Sequence, residues 1–453
     1  MEAGDRLART GLLLAMASFA GFFSTESANA QTNERAYESL EFRVVTPGAR
    51  AVAMGKTFVG IADDATAAAS NPAGLSNLLD PEVSVELTGS NIRTTRMVAI
   101  DPLRTQTFTS FVGFPTFASY VTPLPDVRLL RDMTVAVFYN SLQRYKENFD
   151  VPDVVEGRRT TEGGYFGSTH ISGDAAGVGG AFLVTNKVSV GGSLTVQHLS
   201  IESNAYSGNK PFVRNGTVTH DRDFKVGGQL GALVKPSSRL SVGAAFYSGT
   251  TFRVNTTIVG VFSPENSPPL PPIPIGEIKT ARIQSPEQTV DYRIPDRFTV
   301  GTAIHPTRSL TVLADVAFVG YAQRITPNFL IVDFLAQEQS AGLEPSDYFL
   351  RNVAELHTGL EYRRFRNGRL LAFRTGLFTD PDHQMRFDYE HSSRSPQANG
   401  QRVRFNSLEP GTVVGVTGGA GFVLRNYLQF DLAISWSANA REVVVSSVAR
   451  FPR

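Results

Sequence analysis

The side chains that most often catalyse reactions or bind metals are sparse and scattered in this sequence. The chain has no cysteine, and its seven histidines form no His-Glu-x-x-His motif. Asp380, Asp382 and His383 have the types and spacing to bind a cation at the base of a predicted loop. Solvated loop residues commonly have the same composition. We therefore predict no metal site, no cofactor and no catalytic residue.

Motifs for nucleotide binding and for nucleophilic catalysis are also absent from the sequence. Residues 177–180 are rich in glycine but lie in a predicted strand, and no helical pattern follows them, as a dinucleotide fold requires. No Gly-x-Ser-x-Gly sequence, typical of serine hydrolases, is present. The formal net charge of +1 gives no reason to expect a nucleic-acid partner. The sequence argues against an enzyme.

The first thirty residues predict an export signal. Arg6 and Arg9 precede an apolar run over residues 11–23, and the small residues 28–30 fit a cleavage site before Gln31. The run is shorter than the ~20 apolar residues of a membrane-spanning helix, and no later stretch reaches that length. We therefore expect a signal peptide over residues 1–30 and an exported mature chain.

From about residue 83 to the end, apolar and polar side chains alternate with a period of two. The apolar members of one such row are Leu428, Phe430, Leu432, Ile434 and Trp436. Successive side chains of a strand point to opposite faces, so each segment has one apolar face and one polar or small face. A soluble β-sandwich has the same alternation. Segment length and connections must distinguish the two folds.

Segment lengths and connections favour a membrane barrel. Several predicted strands are much longer than the five or six residues usual in soluble proteins, and a tilted membrane strand needs ~9–11. Short turns alternate with long loops, as in outer-membrane barrels. The fourteen predicted strands are 83–90, 116–123, 132–146, 171–184, 187–203, 222–235, 239–254, 295–306, 309–321, 352–364, 368–380, 411–424, 427–438 and 443–451. We predict an all-β, 14-stranded antiparallel transmembrane β-barrel.

A stretch rich in alanine and glycine, residues 48–79, lies ahead of the strands. Asp63 or Asp64 can cap a short helix within it. Asn71 and Pro72 then end that helix, because proline lacks an N–H and disfavours helical geometry at the residue before it. A compact segment of small residues that ends in a rigid turn suits a plug inside a larger structure. An ordinary N-terminal helix and turn is the alternative.

Several residues of this stretch follow one another in a characteristic order. They are Gly48-Ala49-Arg50, Met54-Gly55, Ala62-Asp63-Asp64-Ala65 and Asn71-Pro72-Ala73-Gly74-Leu75. In this order they resemble the N-terminal hatch of FadL-type outer-membrane transporters of fatty acids and other hydrophobic compounds. The resemblance implies a small hatch in the lumen, residues 31–82, and a transmembrane barrel, residues 83–453. Outer-membrane proteins of the PorV type, which are tied to protein secretion, carry a related opening.

The resemblance also implies where a ligand would be handled. FadL-type barrels have an inward kink in the third strand that opens a lateral gap, and Asn140 and Ser141 are candidates because alternation weakens there. The family has a buried basic partner for a fatty-acid carboxylate, for which Arg144, Lys225 and Arg374 are candidates. The alternatives are an ordinary strand that passes into the rim and basic side chains solvated in the lumen.

Two predicted outer loops are unusually apolar. Residues 255–294 include a proline-rich stretch, and residues 322–351 include a run that could form a short amphipathic helix. In the resembled family, outer loops form a hydrophobic groove where ligand first docks. The candidate residues for such an apolar rim are Val261, Phe262, Ile273, Ile275, Phe329 and Phe334. A proline-rich loop that shields the barrel mouth is the alternative for the first loop.

These features predict a channel in the bacterial outer membrane for passive uptake of hydrophobic molecules, such as long-chain fatty acids. The expected partners are those small molecules, the lipid of the outer membrane, and the barrel-assembly machinery. The last of these is expected because Val443, Val445 and Phe451 share one face of the terminal strand, with the aromatic residue close to the end. We expect a monomer without a nucleic-acid partner. A PorV-like interaction protein linked to secretion and a purely structural barrel are the competing hypotheses.

Overall fold

The structure is a computed structural model of the 453-residue chain. It describes residues 43–99, 104–125, 131–152, 154–156, 159–162, 164–208, 212–213, 215–260, 273–274, 283–284, 288–329, 345–366, 369–392, 398–408, 410–425 and 427–451. Among these residues, no helix has the length and hydropathy that a helical membrane span needs. The fold consists almost entirely of long strands.

Fourteen antiparallel strands form one closed barrel. They are β1 (Glu82–Ala99), β2 (Arg104–Pro123), β3 (Arg131–Val151), β4 (Tyr165–Thr185), β5 (Val188–Ser207), β6 (Asn215–Ser237), β7 (Leu240–Tyr247 and Thr250–Gly260), β8 (Gln288–Ile294 and Arg297–Ile304), β9 (Leu310–Val319), β10 (Val353–Arg366), β11 (Arg369–Asp380), β12 (Val413–Leu424), β13 (Leu428–Trp436) and β14 (Ala440–Arg450). β1 pairs with β14 from Glu82 and Arg450 to Ile92 and Ala440, which closes the barrel. The predicted fold class is confirmed.

The strands alternate between an outer apolar face and an inner polar face, as the sequence predicts. In β13, Leu432, Ile434 and Trp436 are exposed on the outside, while Asp431 and Ser435 are buried on the inside. Short turns join strands at the end of the barrel where β1 begins, here called the lower end. The longest loops lie at the opposite, upper end.

The segment ahead of β1 folds inside the lower half of the barrel. It contains helix α1 (Ala49–Ala53), helix α2 (Ala67–Ser70) and a 3₁₀ helix (Pro72–Asn77). Residues 43–79 are called the hatch below. Most hatch side chains are buried, and they share an apolar core with the lower strands. The stretch singled out in the sequence therefore lies in the lumen.

Side chains and loop segments fill the upper half of the barrel. Loop strands Tyr348–Phe349 and Arg386–Phe387 pair there, and helices α3 (Tyr389–Ser392) and α4 (Ala398–Asn406) follow the second of them. A buried apolar cluster, called the upper core, includes Leu142, Tyr292, Ile294, Phe329, Tyr348 and Phe405. Other short strands at the upper end are Val154–Glu156, Arg159–Glu162, Phe212–Val213, Ile273–Pro274 and Ile283–Gln284. Any functional space inside the barrel lies between the hatch and the upper core.

Candidate functional site

Glycines on the inner wall of the barrel give the hatch its seat. A methyl group on Gly231 would overlap the Asn71 side chain, and one on Gly243 would overlap the Val59 carbonyl. The wall glycines that touch the hatch in this way are Gly191, Gly231, Gly243, Gly301, Gly359, Gly376 and Gly419. Only a residue without a Cβ lets two backbones approach so closely. The wall and the hatch are therefore fitted to each other.

Hydrogen bonds from barrel side chains hold the hatch backbone in this seat. Asp315 Oδ2 on β9 accepts from the backbone N–H groups of Phe58 and Val59, at 2.8 and 3.0 Å. Thr417 Oγ1 on β12 accepts from the Gly55 N–H at 2.8 Å. These bonds satisfy buried backbone groups of a segment that has little regular secondary structure. The hatch is therefore bound to the inner wall in the lower half of the barrel.

A network of buried charges ties the hatch to β10 and β11. Arg50 donates to both oxygens of Glu361, at 2.9 and 3.0 Å, and lies 2.5 Å from Asp63. Burial lowers the pKa of the Arg50 guanidinium, but Asp63 and Glu361 outweigh that effect and hold this pKa above its ordinary value. Arg374, a candidate carboxylate partner, belongs to this network and contacts Glu361 and Asp431, at 2.7 and 2.6 Å. Arg374 and the hatch residue Arg50 therefore share the Glu361 carboxylate.

A cavity of about 90 Å³, called the chamber, lies between the hatch and the upper core. Its lining includes Phe58 and Val59 from the hatch and Leu142 and Ile294 from the upper core. Two smaller cavities of about 40 Å³ each share Val44, Thr46 and Lys56 with it. The space above the hatch is therefore lined by both apolar and polar side chains, and it has room for several water molecules or a small ligand.

Every basic side chain that lines these three cavities has a carboxylate within 4 Å. The pairs are Arg43 with Asp380 at 3.9 Å, Lys56 with Glu442 at 3.8 Å, Arg144 with Asp174 at 2.5 Å and Arg297 with Glu355 at 3.5 Å. Asp315 adds a further carboxylate to the chamber wall. The cavity linings therefore carry no uncompensated positive charge from lysine or arginine.

The backbone ladder between β2 and β3 is interrupted beside the chamber. Their ladder starts at Pro123 and Thr134 and ends at Phe117 and Asn140. Above this point β2 continues along β1 as far as Arg104, and β3 continues along β4 to its end. Among the described residues, no backbone pair joins the upper parts of β2 and β3. This interruption is called the wall gap below.

A β-bulge in β3 marks the start of the wall gap. The register with β4 shifts between Ser141 and Gln143, which leaves Leu142 as an extra residue. Asn140 faces inward below the bulge, and Tyr145 faces inward above it, so the bulge exchanges the two faces of the strand. The Leu142 carbonyl accepts from the Val45 N–H of the hatch at 3.1 Å. Asn140 and Ser141 therefore lie at an irregularity that borders the chamber.

Side chains bridge the wall gap in place of a ladder. The Arg144 guanidinium lies 5.1 Å from the centre of the Phe114 ring on β2. Higher up, Arg96 on β1 reaches across β2 to Glu147 on β3, at 2.7 Å, and both side chains are buried. Side-chain contacts, and not backbone hydrogen bonds, therefore span the wall gap.

The remaining basic candidates are also paired with carboxylates. Arg144 follows the bulge, lies at the wall gap, and contacts Asp174 and the Tyr139 hydroxyl. Lys225 on β6 contacts Asp223 at 2.6 Å. With Arg374 in the hatch network, all three candidates have acidic partners. Their pairing differs from that expected of a basic residue reserved for a ligand carboxylate.

The predicted apolar rim falls largely outside the described residues. Val261, Phe262, Ile275 and Phe334 lie outside them, and Ile273 belongs to a short loop strand paired with Val213. Phe329 is buried in the upper core, so it does not lie on an open rim. Before it, residues Tyr321–Arg324 form a 3₁₀ helix.

Several residues that line the chamber could not be singled out from the sequence. Lys56, Gln229, Tyr247 and Asp315 are single polar residues within apolar or small surroundings. Alternation assigns Gln229 to an inner face, but height along the barrel follows only from strand register. The cation candidates Asp380, Asp382 and His383 contact their own neighbours, with His383 Nδ1 at 3.3 Å from Asp380 and Asp382 at 3.0 Å from Arg386.

Comparisons with known proteins connect this architecture to solved structures. No family model and no curated protein sequence matches the chain. The toluene transporter TbuX of Ralstonia pickettii is 14% identical, with a TM-score of 0.61 over 90% of this chain and 100% of that one. A Pseudomonas aeruginosa FadL homologue is 14% identical, with a TM-score of 0.60 over 91% and 99%. The Pseudomonas putida toluene transporter TodX is 14% identical, with a TM-score of 0.57 over 91% and 100%. At this identity the comparison establishes a FadL-type barrel fold.

Proposed function

We propose that this protein is a channel of the bacterial outer membrane that admits hydrophobic small molecules. Long-chain fatty acids and aromatic hydrocarbons are two such classes. The outward apolar belt suits a lipid bilayer, and a closed barrel satisfies every backbone group that lipid would leave unpaired. The FadL-type fold supports the proposal, since the structures with that fold include toluene transporters.

The wall gap is the observation that best supports this proposal. The hatch blocks a straight path through the barrel, because its backbone is fitted to the wall glycines and bound to Asp315, and its Arg50 side chain is bound to Glu361. The chamber adjoins Asn140 and Leu142, where the ladder between β2 and β3 ends. A hydrophobic molecule in the chamber would therefore leave sideways, into the membrane, without displacing the hatch. Apolar burial drives that transfer at ~25 cal/mol per Å².

A reversible cross-link across the wall gap tests this route. The chain has no cysteine, so the double variant Phe114→Cys/Arg144→Cys carries the sole thiol pair. These two side chains face each other across the gap. A short bis-methanethiosulfonate linker would hold the gap shut, and reductant would release it. Uptake of radiolabelled toluene by Gram-negative cells that lack a comparable channel is the assay. We expect uptake to fall about tenfold with the linker and to recover on reduction.

The control pair is Leu377→Cys/Val416→Cys. These residues are ladder partners on β11 and β12, and both face outward. The same linker there should leave uptake unchanged. Equal uptake with the gap open and cross-linked would refute a lateral route. A secretion-linked role, the alternative from sequence, predicts no dependence of toluene uptake on either pair.

A further inference from the structure

Two buried amide side chains face the chamber with unpaired hydrogen-bonding atoms. Asn140 is 4% exposed and Gln229 is 7% exposed, and both line the chamber. Neither Asn140 Oδ1 nor Gln229 Oε1 has a hydrogen-bond partner within the described part of the chain. Buried polar atoms are nearly always paired, because an unpaired one destabilises the folded state. We therefore expect these two amides to bind a polar partner inside the chamber.

Asp315 contributes a third acceptor to the same wall. Its Oδ2 atom is occupied by the N–H groups of Phe58 and Val59. Its Oδ1 atom is buried and has no partner among the residues described. An ionised carboxylate only accepts hydrogen bonds, so the missing partner of Asp315 is a donor. The amides can rotate to donate or accept, which makes all three groups compatible with one hydroxyl-bearing ligand.

The charges around the chamber disfavour an anionic ligand. Lys56 and Arg297 are matched by Glu442 and Glu355, and Asp315 adds a negative charge that has no cationic partner within 4 Å in the part of the chain that the structure describes. A ligand carboxylate would lie beside Asp315 without a free cation to compensate its charge. Like charges in a partly desolvated cavity repel strongly. The chamber is therefore more complementary to a neutral molecule.

We infer that the chamber selects neutral hydrophobic molecules that carry a hydrogen-bond donor, of which an alcohol is the simplest. This inference rests on the proposed channel function and narrows its substrate class. The hydroxyl group pairs with one of the two unpaired amides, Asn140 or Gln229, while the apolar body packs against Leu142 and Ile294. A plain hydrocarbon leaves the acceptors unpaired. A carboxylate places a second negative charge beside Asp315.

Three small aromatic probes separate these ligand classes. Benzyl alcohol, toluene and benzoate share one ring and differ in donor and charge. Their binding is measured by equilibrium dialysis with radiolabelled ligand against the mature protein in amphipol, with empty amphipol as the blank. We expect benzyl alcohol to bind at least tenfold more tightly than benzoate. Gln229→Met should weaken benzyl alcohol about tenfold, or ~1.4 kcal/mol, and leave toluene unchanged.

A second substitution and a matched control complete the test. Asn140→Leu should weaken benzyl alcohol in the same way as Gln229→Met. The control Asn204→Leu makes the same change on β5 at an amide that accepts from the Ser168 N–H and does not line the chamber. It should leave all three affinities unchanged. All variants are first checked for heat-modifiable migration, which reports a folded barrel.

Different results would refute the inference about the ligand class and the channel function on which it rests. Tightest binding of benzoate would refute the inference, as would equal benzyl alcohol affinity in the wild type, Gln229→Met and Asn140→Leu. Either result, in a protein that still takes up toluene through the wall gap, would leave the channel proposal standing. Failure of the folded wild type to take up any of the three probes would refute the channel proposal itself.

Discussion

Substituting Asn71 by alanine should loosen the hatch without unfolding the barrel. The Asn71 side chain is fully buried and makes three hydrogen bonds. Its Nδ2 group donates to the carbonyl oxygens of Val59 and Ala232, at 2.9 and 3.2 Å, and its Oδ1 atom accepts from the Ala73 N–H at 3.3 Å. One of these partners, Ala232, belongs to the barrel. The strand ladders do not depend on the side chain.

The size of the effect follows from those bonds. Each contributes roughly 1 kcal/mol net, so Asn71→Ala should weaken hatch seating by about 3 kcal/mol. That free energy corresponds to a rise of roughly 150-fold in the unseated fraction. Native-state hydrogen exchange of hatch peptides, read by mass spectrometry, measures this fraction. Exchange should accelerate over residues 49–77, while strand peptides and heat-modifiable migration stay unchanged.

Asn77→Ala provides a graded comparison. Asn77 donates to the Ala62 carbonyl at 3.1 Å and also contacts Lys235 at the lower surface. The loss of about 1 kcal/mol there should accelerate hatch exchange only about fivefold. If hatch peptides of a folded Asn71→Ala protein exchanged at the wild-type rate, Asn71 would not anchor the hatch. The turn at Asn71 would then not hold the hatch in the barrel.

The other predictions concern the wall and the plug. Gly243→Ala should displace the hatch, because its methyl group would overlap a hatch carbonyl, whereas Gly418→Ala on the outer face should not; hatch exchange distinguishes them. Leu432→Arg, at the middle of the outward row of β13, should lower the free energy of unfolding of the barrel by about 2–4 kcal/mol. Trp436→Arg, near the upper end of the same row, should lower it by only about 0–1 kcal/mol. Urea unfolding in vesicles measures both values. Deleting residues 31–78 should keep the barrel and raise its conductance in planar bilayers; unchanged conductance would contradict a plug.

The barrel could be predicted from sequence because alternation is a local property of each strand. All fourteen strands and their order follow from it, but their upper ends do not. β1, predicted over residues 83–90, extends to Ala99, and β2, predicted over 116–123, begins at Arg104. These extensions carry polar residues on both faces, so period-two alternation is missing there. Strand pairing, which no local pattern encodes, sets their length.

The chamber and the wall gap were harder to predict. Asn140 and Ser141 were singled out because alternation weakens there, and the bulge at Leu142 is its structural counterpart. A single extra residue exchanges the faces of everything beyond it, which is why Asn140 faces inward below the bulge and Tyr145 faces inward above it. Contacts such as that between Arg50 and Glu361 join residues 311 positions apart. Only the closed barrel brings them together.

Crystals of the mature protein soaked with 4-bromotoluene would test the central claim most directly. The bromine atom gives an anomalous difference peak that locates the ligand without assumptions about the route. A lateral route predicts one peak in the chamber, in contact with Leu142 and Ile294. It predicts a second peak in the wall gap beside Phe114, with the hatch in place. Peaks below the hatch, or only on the outer surface with none in the chamber, would contradict it.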